Sequence, residues 1–162
     1  MIHILNNAFF QSTCTLKQAL EDWEKKANAQ VKAEQAEAAK EIKLEEAVEV
    51  RINFSVSRGA INKVDNSLSK LVKCEILSLS TNCIDKIPNL SGMASLRVLS
   101  IGRNNIKKII GLDEVAGTLE QLWISYNMIG SLDGLSSLTK LTTLYCSNNL
   151  LKSFSDLDKL VS

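Results

Sequence analysis

The chain has 162 residues, of which 45% are apolar and 23% charged, so it is long enough to bury a hydrophobic core. Nineteen Lys and Arg residues nearly balance 18 Asp and Glu residues, and the net charge of +1 gives no support to nucleic-acid binding. No stretch approaches the roughly 18 apolar residues of a membrane span, and the N-terminus lacks the basic start of a secretory signal. We therefore expect a cytoplasmic protein with neither nucleic acid nor membrane as a partner.

The cysteines and the single histidine give no sign of a metal site or a catalytic centre. The cysteines form no Cys-x-x-Cys pair, and His3 lies outside the repeats described below. The sequence contains no phosphate-binding loop, no glycine-rich nucleotide motif and no plausible pair of nucleophile and base. We expect no metal, no cofactor and no enzymatic activity, and free thiols at Cys14, Cys74, Cys83 and Cys146.

The first element in chain order is a predicted helical N-terminal cap over residues 15–48. Thr15-Leu-Lys-Gln18 has the form of a capping box, whose first and last side chains satisfy free N–H groups at a helix start. Residues 25–49 are rich in Ala, Glu and Lys, which favour helix. A coiled coil is the alternative, but no heptad is sustained. An apolar stripe at helical spacing supports the cap: Leu16, Leu20 and Trp23.

A degenerate repeat is predicted next, between Arg51 and Lys73. Phe54 and Val56 are interpreted as its strand. Gly59 stands at the position where the four later repeats have an asparagine. The second half of the unit carries apolar residues at short intervals: Ile61, Val64, Leu68 and Leu71.

Four clear repeats follow, and together with the degenerate unit they occupy residues 49–162. The segments CEILSLSTNCIDKI, LRVLSIGRNNIKKI, LEQLWISYNMIGSL and LTTLYCSNNLLKSF all fit the pattern L-x-x-L-x-L-x-x-N-x-L. This is the pattern of leucine-rich repeats. The aligned asparagines are spaced by 22, 23 and 22 residues, and they are Asn82, Asn104, Asn127 and Asn149.

The repeat unit predicts an α/β leucine-rich-repeat solenoid with a short parallel β-sheet on its concave face. Alternating apolar residues before each asparagine, such as Leu77 and Leu79, indicate a short strand with one buried face. Apolar residues at every third position afterwards favour a 3₁₀ turn on the convex side. Neighbouring units must stack, because one unit cannot bury its own apolar face. We interpret the asparagines as a structural ladder, since a buried amide both donates and accepts hydrogen bonds.

The C-terminal end of the sequence has no polar capping unit. The fourth repeat reaches Leu160, two residues before the last residue, Ser162. We therefore expect an uncovered apolar edge, which a partner could cover. The apolar residues expected at this edge are Leu141, Leu144, Leu151 and Leu157.

Residues between the buried strand positions should face the concave, solvent-exposed side of the sheet. Most are small, but Arg103, Trp123, Tyr126 and Tyr145 are of the types that dominate binding hot spots. We predict that this face binds a protein partner; the alternative is that Trp123 merely packs over its neighbours and seals the sheet. The full predicted site adds Ile76, Val98, Gln121 and Asn148, with Ser78, Ser80, Ser100 and Thr143 on the same face.

Several segments resemble the axonemal (outer-arm) dynein light chain 1 family of leucine-rich-repeat proteins. They are TLKQALEDWEKK, AKEIKL, SLSKLVKCEILSLSTNCIDKI, LRVLSIGRNNIKKI, TLEQLWISYN and LYCSNNLLKSF. The resemblance covers residues 15–44 and 60–157. Residues 1–14, expected to be a poorly ordered extension, and about 45–59 have no counterpart. The last repeat and the C-terminal helices of the family are missing from this sequence.

The resemblance implies a non-catalytic light chain in the cytoskeleton of the ciliary or flagellar axoneme. It implies binding to the microtubule-binding domain at the stalk tip of an outer-arm dynein heavy chain, with tubulin as a further potential contact and with modulation of motility. Two alternatives remain at this stage. One is a leucine-rich-repeat adaptor similar to a phosphatase-1 regulatory subunit, and the other is a non-functional fragment of the light chain.

Overall fold

The computed structural model describes residues 13–34, 43–54 and 59–152. One long helix, α1 (Leu16–Glu34), follows the first short strand, and three 3₁₀ turns lie at Leu44–Glu46, Asn66–Lys70 and Asp113–Val115. The strands are β1 (Thr13–Thr15), β2 (Glu49–Arg51), β3 (Ala60–Lys63), β4 (Ile76–Ser78), β5 (Val98–Ser100), β6 (Gln121–Trp123) and β7 (Thr143–Tyr145).

The main sheet is parallel and has the strand order β2-β4-β5-β6-β7. Its register is constant: Leu77 lies beside Leu99, Leu99 beside Leu122, and Leu122 beside Leu144. Each return to the next parallel strand runs through the convex side, as stacked repeats require. The predicted solenoid with a parallel sheet and an N-terminal helix is therefore confirmed.

The core is a continuous column of apolar side chains between the sheet and the convex turns. Leu77, Leu99 and Leu122 have no exposed surface, and neither do the strand-end residues Leu79 and Ile101. Complete burial of a leucine stabilises the folded state by about 1.5–3 kcal/mol, so the repeated leucines dominate the stability of the solenoid. The convex positions that the every-third spacing predicts are buried as well: Leu90, Leu112, Leu135, Met93, Val115 and Leu138.

Helix α1 begins with the predicted capping box. The Gln18 side chain accepts a hydrogen bond from the Thr15 N–H at 2.9 Å, and the Thr15 hydroxyl accepts one from the Gln18 N–H at 3.3 Å. Leu16 and Leu20 are buried and Trp23 is half-buried against the core. The helix contacts β1, β3 and the 3₁₀ turn of the first repeat, so it covers apolar surface that no preceding repeat could cover.

The strand of the first repeat differs from the prediction. It is β2, at Glu49–Arg51, whereas Phe54 follows that strand and Val56 lies outside the described residues. The reason is an insertion between the strand and Gly59. Val50 pairs with Leu77. Gly59 comes nine positions after Val50, whereas Asn82, the corresponding residue of the next repeat, comes only five positions after Leu77. Counting back from Gly59 at the normal spacing therefore points to Phe54, four residues too late.

The start of the chain also differs from the prediction. Thr13 and Cys14, which the sequence placed in an extension, lie in β1 and pair with Ala60 and Ile61 of β3 in a parallel two-stranded sheet. Some predictions fall outside the described residues. They concern the remainder of the extension, the part of the cap over residues 35–42, and the last apolar positions Phe154, Leu157 and Leu160.

Candidate protein-binding site on the concave sheet

The predicted site residues lie in three rows that run across the parallel strands. The register places Ile76, Val98, Gln121 and Thr143 in the first row and Ser78, Ser100, Trp123 and Tyr145 in the second. The third row follows the strands and consists of Thr81, Arg103, Tyr126 and Asn148, and the N–H groups of its first three members donate to the Gly102, Ser125 and Ser147 carbonyls of the next turn. Neighbouring strands lie about 4.8 Å apart, so side chains within a row are in contact range.

Three aromatic side chains form an exposed cluster on this face. Trp123, Tyr126 and Tyr145 are 43%, 48% and 51% exposed. The rings of Trp123 and Tyr145 have centroids 4.5 Å apart and planes tilted by 44°. Trp123 thus does pack on its neighbour, yet both rings keep about half of their surface open to solvent. We call Arg103, Trp123, Tyr126 and Tyr145 the aromatic patch.

Arg103 and Tyr126 stand at the edge of the patch in an unusual backbone conformation. Their φ angles are 53° and 58°, in the left-handed region that non-glycine residues rarely adopt. The guanidinium carbon of Arg103 lies 4.4 Å from the centre of the Tyr126 ring. This cation–π contact fixes both side chains over the face of the sheet and leaves the arginine exposed.

The other half of the face is polar and built from small side chains. The hydroxyls of Ser80 and Ser100 are 2.8 Å apart, and Ser147 donates to Ser125 at 3.1 Å. Ser78 differs from the prediction of a solvent-facing residue, because it is only 5% exposed and donates to the Asn53 side chain at 3.2 Å. The aromatic patch is therefore flanked by a flat, low surface that leaves space above it.

The asparagines below the site bridge consecutive repeats. The Asn104 side chain accepts from the Ile84 N–H at 3.0 Å and donates to the Leu79 and Ile101 carbonyls, both at 3.0 Å. Asn82, Asn127 and Asn149 make the equivalent bonds one repeat apart. The bonds satisfy backbone groups where each strand turns away, so these residues hold the rows in register; Asn82, Asn104 and Asn127 are buried and Asn149 is half-buried.

A charged cluster at the start of the strands was missed by the sequence analysis. Arg97 donates to both carboxylate oxygens of Glu120, at 3.0 and 2.8 Å, and its other terminal nitrogen lies 3.7 Å from Glu75. The hydrogen bond from Arg97 lowers the pKa of Glu120. The signal was present, because Glu75, Arg97 and Glu120 occupy equivalent repeat positions with alternating charge.

The cysteines in the described part of the chain form no disulfide bond with one another. Cys74 is fully buried, and burial raises the pKa of its thiol to about 11. Burial also raises the pKa of Cys146, which is half-buried rather than fully buried in the core. Within the described ranges, no group of three or more His, Cys, Asp or Glu side chains could hold a metal ion. The helices described there are also too short or too polar to cross a membrane.

The fold and the repeats define a leucine-rich-repeat solenoid. Residues 118–159 match the family described as "Leucine Rich repeats (2 copies)". An internalin from Listeria monocytogenes has a similar structure, with a TM-score of 0.59 and 26% identity over 72% of this chain and 33% of its own. A leucine-rich-repeat protein from Leptospira interrogans shares the fold, with a TM-score of 0.58 and 21% identity over 72% of this chain and 29% of its own.

More specific relatives are found by sequence, and they confirm the resemblance. Dynein axonemal light chain 1 of Danio rerio is 48% identical over 109 residues, which are 67% of this chain and 49% of the relative. The Homo sapiens protein is 49% identical over 107 residues, 66% of this chain and 48% of its own. That of Chlamydomonas reinhardtii is 63% identical over 65 residues, 40% of this chain and 33% of its own. The chain thus spans about half the length of the first two relatives.

Proposed function

We propose that this chain is a non-catalytic dynein light chain of the axoneme of cilia or flagella. In this proposal it binds the microtubule-binding domain at the stalk tip of an outer-arm dynein heavy chain and thereby modulates motility. The observation that carries the proposal is the exposed aromatic patch on the concave sheet of a chain similar to dynein axonemal light chain 1. The groups of this patch can bind a partner through the faces of the aromatic rings, the tyrosine hydroxyls and the N–H donors of Arg103 and Trp123.

The physical reason for binding at the patch is the unused apolar surface of its rings. Trp123 and Tyr145 contact each other but remain 43% and 51% exposed, so a partner can desolvate the surface that is still open. Truncating a central aromatic anchor typically costs about 2–4 kcal/mol of binding free energy, or roughly 30- to 1000-fold in affinity. The low serine surface beside the rings gives a helix or loop of the partner room to lie flat on the sheet.

Arg103 adds oriented hydrogen-bond donors to the same surface. Its guanidinium is oriented by the Tyr126 ring and carries five N–H donors. A carboxylate of the heavy chain beside the apolar anchor would satisfy these donors in bidentate geometry. We therefore expect the bound segment to present an apolar residue and an acidic residue close together.

The test is titration calorimetry with a purified stalk-tip domain. Trp123→Ala and Tyr145→Ala should each weaken binding by about 30-fold or more, since each removes a central anchor. Val72→Ala is the matched control, because Val72 is 47% exposed and lies outside the patch. Circular dichroism verifies the fold of every variant. A folded Trp123→Ala variant that binds as tightly as the parent would contradict the proposed site.

The cellular part of the proposal has its own readout. A tagged chain expressed in a ciliated cell should co-extract with outer arms when axonemes are washed with high salt, and the Trp123→Ala variant should not. Sedimentation with microtubules, with and without the heavy-chain domain, separates a direct tubulin contact from an indirect one. Recovery of phosphatase-1 in place of a dynein heavy chain would favour the adaptor alternative.

A further inference from the structure

A second surface lies where the chain leaves the asparagine ladder and turns toward the convex side. A groove of about 500 Å³ is lined there by Asp85, Lys86, Ile87, Lys107, Lys108 and Ile110. A second groove of about 340 Å³ continues over Gly130 and Gly134 and shares Lys107, Lys108 and Ile110 with the first. None of these residues belongs to the aromatic patch, so the groove is a separate feature of the solenoid.

The lysines of the groove are set in place by the repeat. Hydrogen bonds from the N–H groups of Ile61, Ile84 and Ile106 to the ladder asparagines define equivalent positions in three repeats. Two residues further along stand Lys63, Lys86 and Lys108, one in each repeat, and Lys107 lies next to the last of them. All four lysines are exposed, and the four salt bridges in the described part of the chain involve other residues.

The groove also presents an apolar side chain that the core does not use. Ile110 is 67% exposed, whereas Pro88, at the equivalent position of the preceding repeat, is buried. The backbone beneath is closely packed, because a Cβ at Gly134 would lie 1.9 Å from the Ile109 carbonyl oxygen. Gly130 leaves open space beside Lys107, with no heavy atom within 4 Å of a Cβ built at that position.

We propose that this groove docks a short acidic peptide segment of a partner protein, with one apolar side chain of the segment on Ile110. Across both grooves, Lys86, Lys107 and Lys108 provide three positive charges against the two carboxylates of Asp85 and Asp133. Carboxylates spaced along an extended peptide would pair with lysines that recur once per repeat. The single apolar contact favours a peptide over a nucleic acid, since the groove contains no aromatic ring on which bases could stack.

The probe is a fluorescent peptide of six Glu and Asp residues around a central Leu, followed by anisotropy at low salt. Lys107→Glu/Lys108→Glu should weaken binding roughly tenfold, because two attractive contacts become repulsive. Ile110→Ser and a peptide with Ser in place of Leu should each weaken it several-fold. Binding should fall steeply between 0.05 and about 0.5 M salt as the charges are screened.

The matched control is Lys25→Glu/Lys26→Glu, an adjacent exposed pair on helix α1 with the same change in net charge. This variant should bind the acidic peptide with an affinity within about twofold of that of the parent. Trp123→Ala, the variant that tests the proposed function, should do the same, because Trp123 lies outside the groove. An equal loss in either control would overturn the proposal, because binding would then be non-specific or would lie on the aromatic patch. Tighter, lysine-dependent binding of a single-stranded oligonucleotide or an anionic vesicle would overturn the choice of a peptide.

Discussion

The guanidinium carbon of Arg103 lies 4.4 Å from the centre of the Tyr126 ring, although both residues hold left-handed backbone angles. Such a backbone costs about 1–3 kcal/mol per non-glycine residue, and an exposed cation–π contact returns only about 0.5–1 kcal/mol. The same angles recur at Thr81 and Asn148, so the repeat turn imposes this backbone, and only the exposed ring and guanidinium distinguish Arg103 and Tyr126 on the proposed binding surface.

Substitution of Tyr126 should separate stability from binding. Tyr126→Gly relieves the left-handed strain, so its free energy of unfolding should exceed that of Tyr126→Ala by about 1 kcal/mol. Both variants remove the ring and should weaken binding to the stalk-tip domain. Urea unfolding and calorimetry measure the two effects. An alanine variant as stable as the glycine variant would show that the backbone at this position is not strained.

Removal of a ladder asparagine should destabilise the fold. Asn127→Leu leaves the Ile106 N–H without its 3.0 Å acceptor and removes donors to the Ile101 and Ile124 carbonyls. We expect a loss of about 1–3 kcal/mol, because buried backbone groups then lack partners. Thermal unfolding is the assay, with the exposed Asn105→Leu as control. A transition midpoint equal to that of the parent would contradict the ladder.

Gly134 should tolerate no side chain. A Cβ at this position would lie 1.9 Å from the Ile109 carbonyl oxygen, and backbone cannot move aside cheaply. Gly134→Ala should therefore cost about 2–3 kcal/mol of folding free energy. At Gly117 a Cβ meets no heavy atom within 4 Å, so Gly117→Ala serves as the control and should be neutral or slightly stabilising. Equal stability of the two variants would mean that the turn at Gly134 is looser than described.

The Arg97–Glu120 pair should make stability depend weakly on pH. The hydrogen bond from Arg97 lowers the pKa of Glu120 below its ordinary value of 4.5. The resulting stabilisation is present above pH 4.5 and is lost as the pH falls through the lower pKa of the folded state. The difference in unfolding free energy between the parent and Glu120→Gln should therefore shrink on acidification. If this difference stayed constant down to pH 2, the Arg97–Glu120 pair would make no contribution to the pH dependence of stability.

The cysteines should react in order of exposure. Cys83 is exposed, whereas Cys74 is fully buried. Because burial raises the pKa of the Cys74 thiol to about 11, almost none of Cys74 is thiolate at pH 8. Timed alkylation and mass spectrometry should find Cys83 modified first and Cys74 only after unfolding in denaturant. Early modification of Cys74 in the native protein would show that the repeat beginning at Cys74 opens readily.

The sequence by itself determined the elements that depend on short, local periods. Alternating leucines and asparagines spaced by 22 or 23 residues predicted the stacked strands, the buried column and the exposed concave face. The capping box at Thr15 could also be predicted from the sequence, because its hydrogen bonds join residues only three positions apart. Strand alternation placed Trp123 and Tyr145 on the exposed face, whereas Arg103 and Tyr126 follow the strands in left-handed turns.

The tertiary structure decided what depends on contacts between distant segments. The insertion before Gly59 moved the first strand to Glu49–Arg51, because Val50 reaches its partner Leu77 and Phe54 does not. Ser78 became buried because Asn53, 25 residues away, covers it. The lysine groove appeared because successive turns stack side by side, which places Lys86 and Lys108 together. The repeat pattern is local in sequence and can be recognised there. The position of the first strand, the burial of Ser78 and the lysine groove depend on contacts between neighbouring turns, which only the folded structure shows.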